Sequence, residues 1–229
     1  MLSNEYMVSS LRRCKLAAKL PITKLYVRMF SVPTNRDAVQ IVMVRPTLDA
    51  FPRHPLPHPF TIRWYRAGDE HFWLEMKARS DTFHTADHSY YQQTYGTHAD
   101  LLPQRQAFLC NEEHQPIGSA TAWFEEFNRQ QYGKVNWVFI VPEAQGCGLA
   151  KPLVSVIGER LQLLGHTQAL LYTLVGRLVA IHLYQQFGFV PYIRSTDDQQ
   201  AWDEVNQQLR VPFTAQQYID GRYEKRPSE

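Results

Sequence analysis

Gln145-Gly146-Cys147-Gly148-Leu149-Ala150 is the stretch of this chain best suited to hold a charged ligand. It follows an apolar run at residues 135–141 that reads as a strand, and it precedes Leu149, Leu153, Ile157 and Leu161, which recur at helical spacing. Glycines at such a junction let the backbone reverse tightly and bring several N–H groups together. With the dipole of the following helix behind them, those groups form an anion site, and a phosphate is its natural occupant. Lys151 could add positive charge. The string alone is common in chains of this length; its place between strand and helix gives it meaning. Cys147 lies where a helix start favours thiolate, although a small residue fitted to a tight loop explains it as well.

Other candidate residues carry less. His84 and His88 stand four apart with Asp87 between them, a spacing that could ligate a metal on a helix. No third strong ligand or cysteine cluster accompanies them, so no metal is expected. His54 and His58 share the spacing, but the prolines between them deny a helix. Tyr184, read alone, is a core aromatic on a helix face. Glu125 and Glu126 close a strand and could be only its solvated end; neighbours on a strand point to opposite faces, so at most one can serve a cleft.

Two motifs together resemble a known family. Val-Pro-Glu-Ala-Gln-Gly-Cys-Gly-Leu-Ala, residues 141–150, is similar to the pyrophosphate loop of GNAT-family acetyltransferases, written Gln/Arg-x-x-Gly-x-Gly/Ala. Ala-Ile-His-Leu-Tyr-Gln-Gln-Phe-Gly-Phe, residues 180–189, resembles the family's later helix and strand, Ala-x-x-Leu-Tyr-x-x-x-Gly-Phe. They occur in family order with one strand between them. The likeness covers about residues 61–193 and is specific from residue 135 onward.

This resemblance implies an α/β (α+β) fold with a mixed, mostly antiparallel central sheet and helices on both faces. Acetyl-CoA would be wedged where the strand ending at Val141 splays from the one starting near Thr167. Backbone groups of Val138, Phe139 and Ile140 would pair with the pantetheine arm as an added strand. N–H groups of Gln145, Gly146, Cys147, Gly148, Leu149 and Ala150, with Lys151, would hold the pyrophosphate. Tyr184 would contact the cofactor and donate a proton to the departing thiolate. Where the family often has Asn seven residues before that tyrosine, this chain has Arg177, which takes no role from the resemblance.

The implied reaction is direct transfer of acetyl from acetyl-CoA to a primary amine. An ammonium of pKa about 10.4 must lose a proton before it can attack. Glu125 and Glu126 are the first candidates for that base, with Tyr172, Asn136 acting through water, and His182 behind them. The alternative is a non-catalytic module of the same fold that binds acyl-CoA as a sensor or partner domain.

The elements that must position these residues are legible in outline. A proline-rich stretch at 51–60 forbids helix and leads into a strand at 61–65. Asp69 can cap a helix that carries Phe72, Trp73 and Met76 on one face, and a polar helix or loop spans 84–96. Strands follow at 105–110, 117–125 and 135–141, with turns at 111–116 and 128–133. Then come a helix ended by Gly165, a strand at 167–174, a helix at about 177–187, a strand at 189–193 and a last helix at about 198–209. The expected organisation is a basic extension at 1–42, a lead-in at 43–60, a GNAT domain at 61–195 and a C-terminal helix and tail at 196–229. Met43 offers an alternative translation start.

The composition agrees with one main domain. The chain has 229 residues, 44% of them hydrophobic, enough for one sizeable core. Seven of its 24 basic residues but only two of its 22 acidic ones lie within residues 1–42, so the remainder is net acidic by three and gives no reason to invoke nucleic acid. A nucleic-acid binder acting through the basic arm would show steeply salt-dependent binding. No apolar run is long enough to span a membrane. Three scattered cysteines suit a reducing cytoplasm. The partners expected are acetyl-CoA and a small-molecule or peptide amine, with the protein a monomer or homodimer. Residues 83–96 and 123–127 would shape the acceptor pocket, and their aromatic and acidic content suits a cationic amine.

Overall fold

The computed structural model describes residues 36–81 and 86–223. Its strands are β1 (Gln40–Arg45), β2 (Thr61–Trp64), β3 (Gln106–Cys110), β4 (Pro116–Phe127), β5 (Gln130–Ile140), β6 (Ala169–Leu174), β7 (Val190–Ile193) and β8 (Ile219–Asp220). Its α-helices are α1 (Glu70–Ser80), α2 (His88–Tyr95), α3 (Leu102–Arg105), α4 (Ala150–Leu163), α5 (Leu178–Gln186) and α6 (Thr196–Gln208). The strands form a mixed sheet in the order β2-β3-β4-β5-β6-β1-β7-β8. β5–β6 and β7–β8 are parallel, whereas β1–β6, β1–β7, β2–β3 and β3–β4 are antiparallel.

Local chemistry accounts for the elements. Asn128 and Arg129 both have positive φ, 50° and 60°, the pattern of a tight two-residue hairpin that joins β4 to β5. The turn expected over 128–133 therefore shrinks to two residues and β5 starts at Gln130. Asp87 caps α2 by accepting from the Tyr90 N–H at 2.8 Å, and Ser195 caps α6 by accepting from the Asp198 N–H at 3.2 Å. Asp69 occupies the N-cap position of α1 without a side-chain cap bond. Its carboxylate instead takes the Arg63 guanidinium at 2.5 and 2.9 Å and the Arg66 N–H at 2.6 Å, tying β2 to the start of α1. Burial works against that charge, but Arg63 holds the carboxyl below its ordinary range.

The described residues fall into two compact units. In the first, residues 53–81, 86–122 and 137–160, Trp73 and Met76 of α1 are buried with Tyr91 and Tyr95 of α2 and Phe108 and Leu109 of β3. The Trp73 indole meets Tyr91 and Tyr95 edge-on at 5.2 and 6.2 Å. In the second, residues 36–52, 123–136 and 161–223, the core is built from Ile41, Val42, Met43, Leu170, Leu171, Phe187, Phe189 and Trp202.

β1 is the main departure from the sequence expectation. The boundary drawn between an extension at 1–42 and a lead-in at 43–60 falls inside it. Ile41, Val42 and Met43 are fully buried. The strand ladders with β6 from Gln40↔Leu174 to Arg45↔Ala169 and, on its other edge, with β7 from Val42↔Tyr192 to Val44↔Val190. A start at Met43 would remove half of a strand that is paired on both edges. Four apolar residues bounded by polar ones do not announce strand over helix, because a strand buried on both faces loses its alternation. Residues 1–35 of the extension, and His84 of the histidine pair, lie outside the described residues.

If β1 is central, Ile41→Ala will lower unfolding free energy by about 2–5 kcal/mol in urea titration. Val39→Ala, just outside the strand at 41% exposure, will change it by less than about 0.5 kcal/mol. Equal effects at both positions would contradict this placement.

Candidate active site

The first unit carries the glycine loop. Ala144 and Leu149 are buried, at 8% and 1% exposure, and pin its two ends, while Gln145, Gly146 and Gly148 are exposed between them. Gly146 and Gly148 have φ of 75° and 76°. A Cβ at either would meet nothing within 4 Å, so the requirement for glycine is conformational and not one of space. The Gln145 side-chain amide donates to the Ile140 carbonyl at 2.8 Å, tying the loop back to the end of β5. Among the described residues, the N–H groups of Gly146, Gly148 and Leu149 have no partner within the protein. Unpaired donors before a 14-residue helix are what an anion requires. Lys151 is exposed in the first turn of α4, and Cys147 is part-exposed with its Sγ 3.8 Å from the Gln145 carbonyl.

Val138, Phe139 and Ile140 follow a backbone irregularity at Trp137, whose φ is 49°. A left-handed non-glycine residue inside a strand breaks the regular geometry and redirects neighbouring groups. It costs about 1–2 kcal/mol. The indole is held from three directions: Trp73 at 5.7 Å and Tyr90 at 5.6 Å meet it edge-on, and the Lys77 ammonium lies 4.7 Å from its centroid. A desolvated cation over tryptophan contributes about 2 kcal/mol, the same size as the backbone cost.

The second unit carries Tyr184, Arg177 and both candidate glutamates. Tyr184 on α5 is 8% exposed, and its hydroxyl has no hydrogen-bond partner among the described residues. The other buried tyrosines are satisfied: Tyr91 donates to Gln106 at 3.1 Å, Tyr95 shares a bond with Thr121 at 3.2 Å, and Tyr192 accepts from Asn128. Burial pushes the Tyr184 phenol up to about 12, and Arg177, at the N-cap of α5, draws it down. Arg177 thus has an electrostatic role that no motif assigned to it.

Glu125 is half-buried and Glu126 exposed. The Glu125 carboxylate accepts from the Tyr172 hydroxyl and from Lys134 Nζ at 2.5 Å, and Lys134 also lies over the Tyr172 ring at 4.6 Å. Burial, and then the Glu125 carboxylate, raise the Tyr172 phenol. Asn136 lies just past the parallel β5–β6 register, which spans Gly133↔Ala169 and Lys134↔Leu170. His182 on α5 contacts Gln186 at 2.7 Å. Among the described residues no cluster of three or more His, Cys, Asp or Glu could hold a metal, and no helix is long and apolar enough to cross a membrane.

The features missed from sequence are the left-handed backbone at Trp137 and the burial of Lys77. Lys77 and Asp81 were visible as an i,i+4 pair, but such pairs are ordinarily solvated and carry no signal of a buried site.

Residues 68–189 match the Acetyltransferase (GNAT) family. The chain belongs to the GNAT acetyltransferase family. Similar curated proteins include a mycothiol acetyltransferase from Geodermatophilus obscurus, 31% identical over 157 residues covering 62% of this chain and 48% of that protein. Another, from Streptomyces griseus, is 26% identical over 140 residues covering 60% and 45%. The chain spans about half the length of the curated relatives it matches. Among solved structures, a GCN5-related N-acetyltransferase from Sphaerobacter thermophilus aligns with a TM-score of 0.54 at 18% identity, over 66% of this chain and 48% of that one. A Drosophila protein aligns at 0.51 and 14% identity, over 66% and 47%. These likenesses fix the fold as the GNAT α/β fold.

The environment of Tyr184 predicts its titration. In the wild-type minus Tyr184→Phe absorbance difference, no phenolate will form below about pH 11, because the phenol of a buried tyrosine ionises well above a free one. Arg177→Met will push the ionisation higher still, since it removes the charge that favours phenolate. Ionisation near pH 10 would show a solvated hydroxyl.

Proposed function

We propose that this protein transfers an acetyl group from acetyl-CoA to a primary amine by direct attack on the thioester. The observation that carries the catalytic reading is Tyr184, the one buried tyrosine among the described residues whose hydroxyl has no protein partner. The loop supports the cofactor reading, since the free N–H groups of Gly146, Gly148 and Leu149 suit the pyrophosphate, with Gln145, Cys147, Ala150 and Lys151 around them. Backbone groups of Val138, Phe139 and Ile140 are assigned to the pantetheine arm, and an N–H of that strand to the oxyanion.

In this reading the neutral amine forms the new C–N bond at the thioester carbonyl, the C–S bond breaks, and the electron pair leaves on sulfur. Tyr184 donates a hydrogen bond to that sulfur. Full proton transfer from it is uphill, because a phenol near 12 sits some three to four pH units above a thiol at about 8.5. Arg177 narrows that gap. Glu125 is the glutamate assigned to take the amine's proton, exchanging one of its two present donors for the acceptor; Glu126, in solvent, is not. The acceptor is proposed to be a small-molecule or peptide amine, and the similarity to mycothiol acetyltransferases puts their acceptor first in a screen. A reducing, cytoplasmic setting suits the free Cys110 and Cys147.

Release of free coenzyme A in the presence of an amine panel tests the proposal. Turnover is expected with at least one amine. Tyr184→Phe will lower kcat by about 10- to 100-fold, the loss of one charge-assisted hydrogen bond, with acetyl-CoA affinity nearly unchanged. Glu125→Gln will lose rate at neutral pH and regain it as the amine deprotonates by itself. Tight acetyl-CoA binding with no turnover on any amine would favour a non-catalytic acyl-CoA-binding module.

A further inference from the structure

The first unit contains a buried charge pair that the reaction as proposed does not use. Lys77, on α1, is 1% exposed, and its ammonium lies 2.6 Å from the Asp81 carboxylate, itself 7% exposed. The same ammonium sits over the Trp137 indole at 4.7 Å. Around that indole the contacts are aromatic: Trp73 and Tyr90 meet it edge-on, and Trp73 also meets Phe139 at 5.5 Å.

A charged pair in such a setting is a poor device for stability, since matched apolar side chains of similar volume commonly fold as well or better. A lysine side chain at this depth is instead specific in what it can do. It offers one fixed cation to one ring face, and Asp81 fixes where that cation stands. The ring belongs to the residue whose backbone is left-handed in the middle of β5. Strained backbone of this kind persists only where its surroundings over-determine it. Trp73 and Tyr90 pack steeply against the indole, while the ammonium adds an attraction to its face.

We propose that the Lys77–Asp81 ion pair is a positioning device: it holds the Trp137 indole, and so fixes the left-handed backbone that aims the N–H groups of Val138, Phe139 and Ile140 at the thioester. The inference rests on the assignment of that strand to acetyl-CoA. Lys77 does not touch substrate; it acts through Trp137.

The test uses the full chain with acetyl-CoA and an amine that the wild type acetylates. Lys77→Met combined with Asp81→Leu removes both charges of the pair together, so neither is left buried opposite a missing partner, as Asp81 would be in Lys77→Met alone. The double variant is expected to keep a cooperative melt and bind acetyl-CoA within about twofold of wild type, while kcat falls about 10²-fold through misdirected donors. Its near-ultraviolet dichroism will lose the component that Trp137→Phe also removes. Lys77→Arg, which keeps a cation over the ring and a partner for Asp81, will restore most of kcat. A folded double variant with wild-type kcat, or unchanged Trp137 dichroism, would overturn the proposal. Absence of turnover in the wild type would instead remove the reading of the strand on which it depends.

Discussion

Positive φ at Gly146 and Gly148 is the constraint on which the proposed site depends. The chain must leave β5, reverse, and enter α4 without spending its N–H groups on itself. Two left-handed residues two apart achieve this at little conformational cost only when both lack a Cβ. Ala144 and Leu149 anchor the loop on either side, Gln145 ties it to the Ile140 carbonyl, and what remains is a short exposed arc of unpaired donors. Each feature restrains the loop without filling it. Such exposed N–H groups are solvated until an anion takes the place of that water, and the dipole of the following helix favours the exchange.

The candidate site residues share a pattern in which the protein leaves a hydroxyl without a partner or holds a strained backbone. Tyr184 is buried like the tyrosines that bond to Gln106, Thr121 and Asn128, yet its hydroxyl is left open. Burial makes that phenol a reluctant acid and an effective hydrogen-bond donor, and Arg177 tempers the effect. Trp137 departs from regular strand geometry just before the three residues assigned to acetyl-CoA, with aromatic rings and a buried cation packed around its indole.

How much of this was legible in sequence depended on the kind of signal. The loop and the Tyr184 helix were readable because glycine, proline and 3.6-residue spacing are local signals, and α4 and α5 fall within about two residues of expectation. β1 was not, because Ile41–Val44 reports only that it is apolar; its pairing with β6 and β7 depends on residues more than a hundred positions away. Arg177 stood out as a departure from a motif, and only its position at the N-cap of α5 gave it a purpose. Lys77 illustrates the converse limit. A lysine four residues from an aspartate on a helix reads as a surface pair, and nothing in its neighbours reveals that Trp137 will lie over it.

The most direct measurement is calorimetric binding of S-acetyl-4′-phosphopantetheine against S-acetylpantetheine, two ligands that differ by a single phosphate. If the N–H groups of Gly146, Gly148 and Leu149 form the phosphate cradle, the phosphorylated ligand will bind about 10- to 100-fold more tightly, the contribution of one or two charge-assisted hydrogen bonds. Equal affinity for the two would show that the loop is not the anion site, and the account built on it would fall.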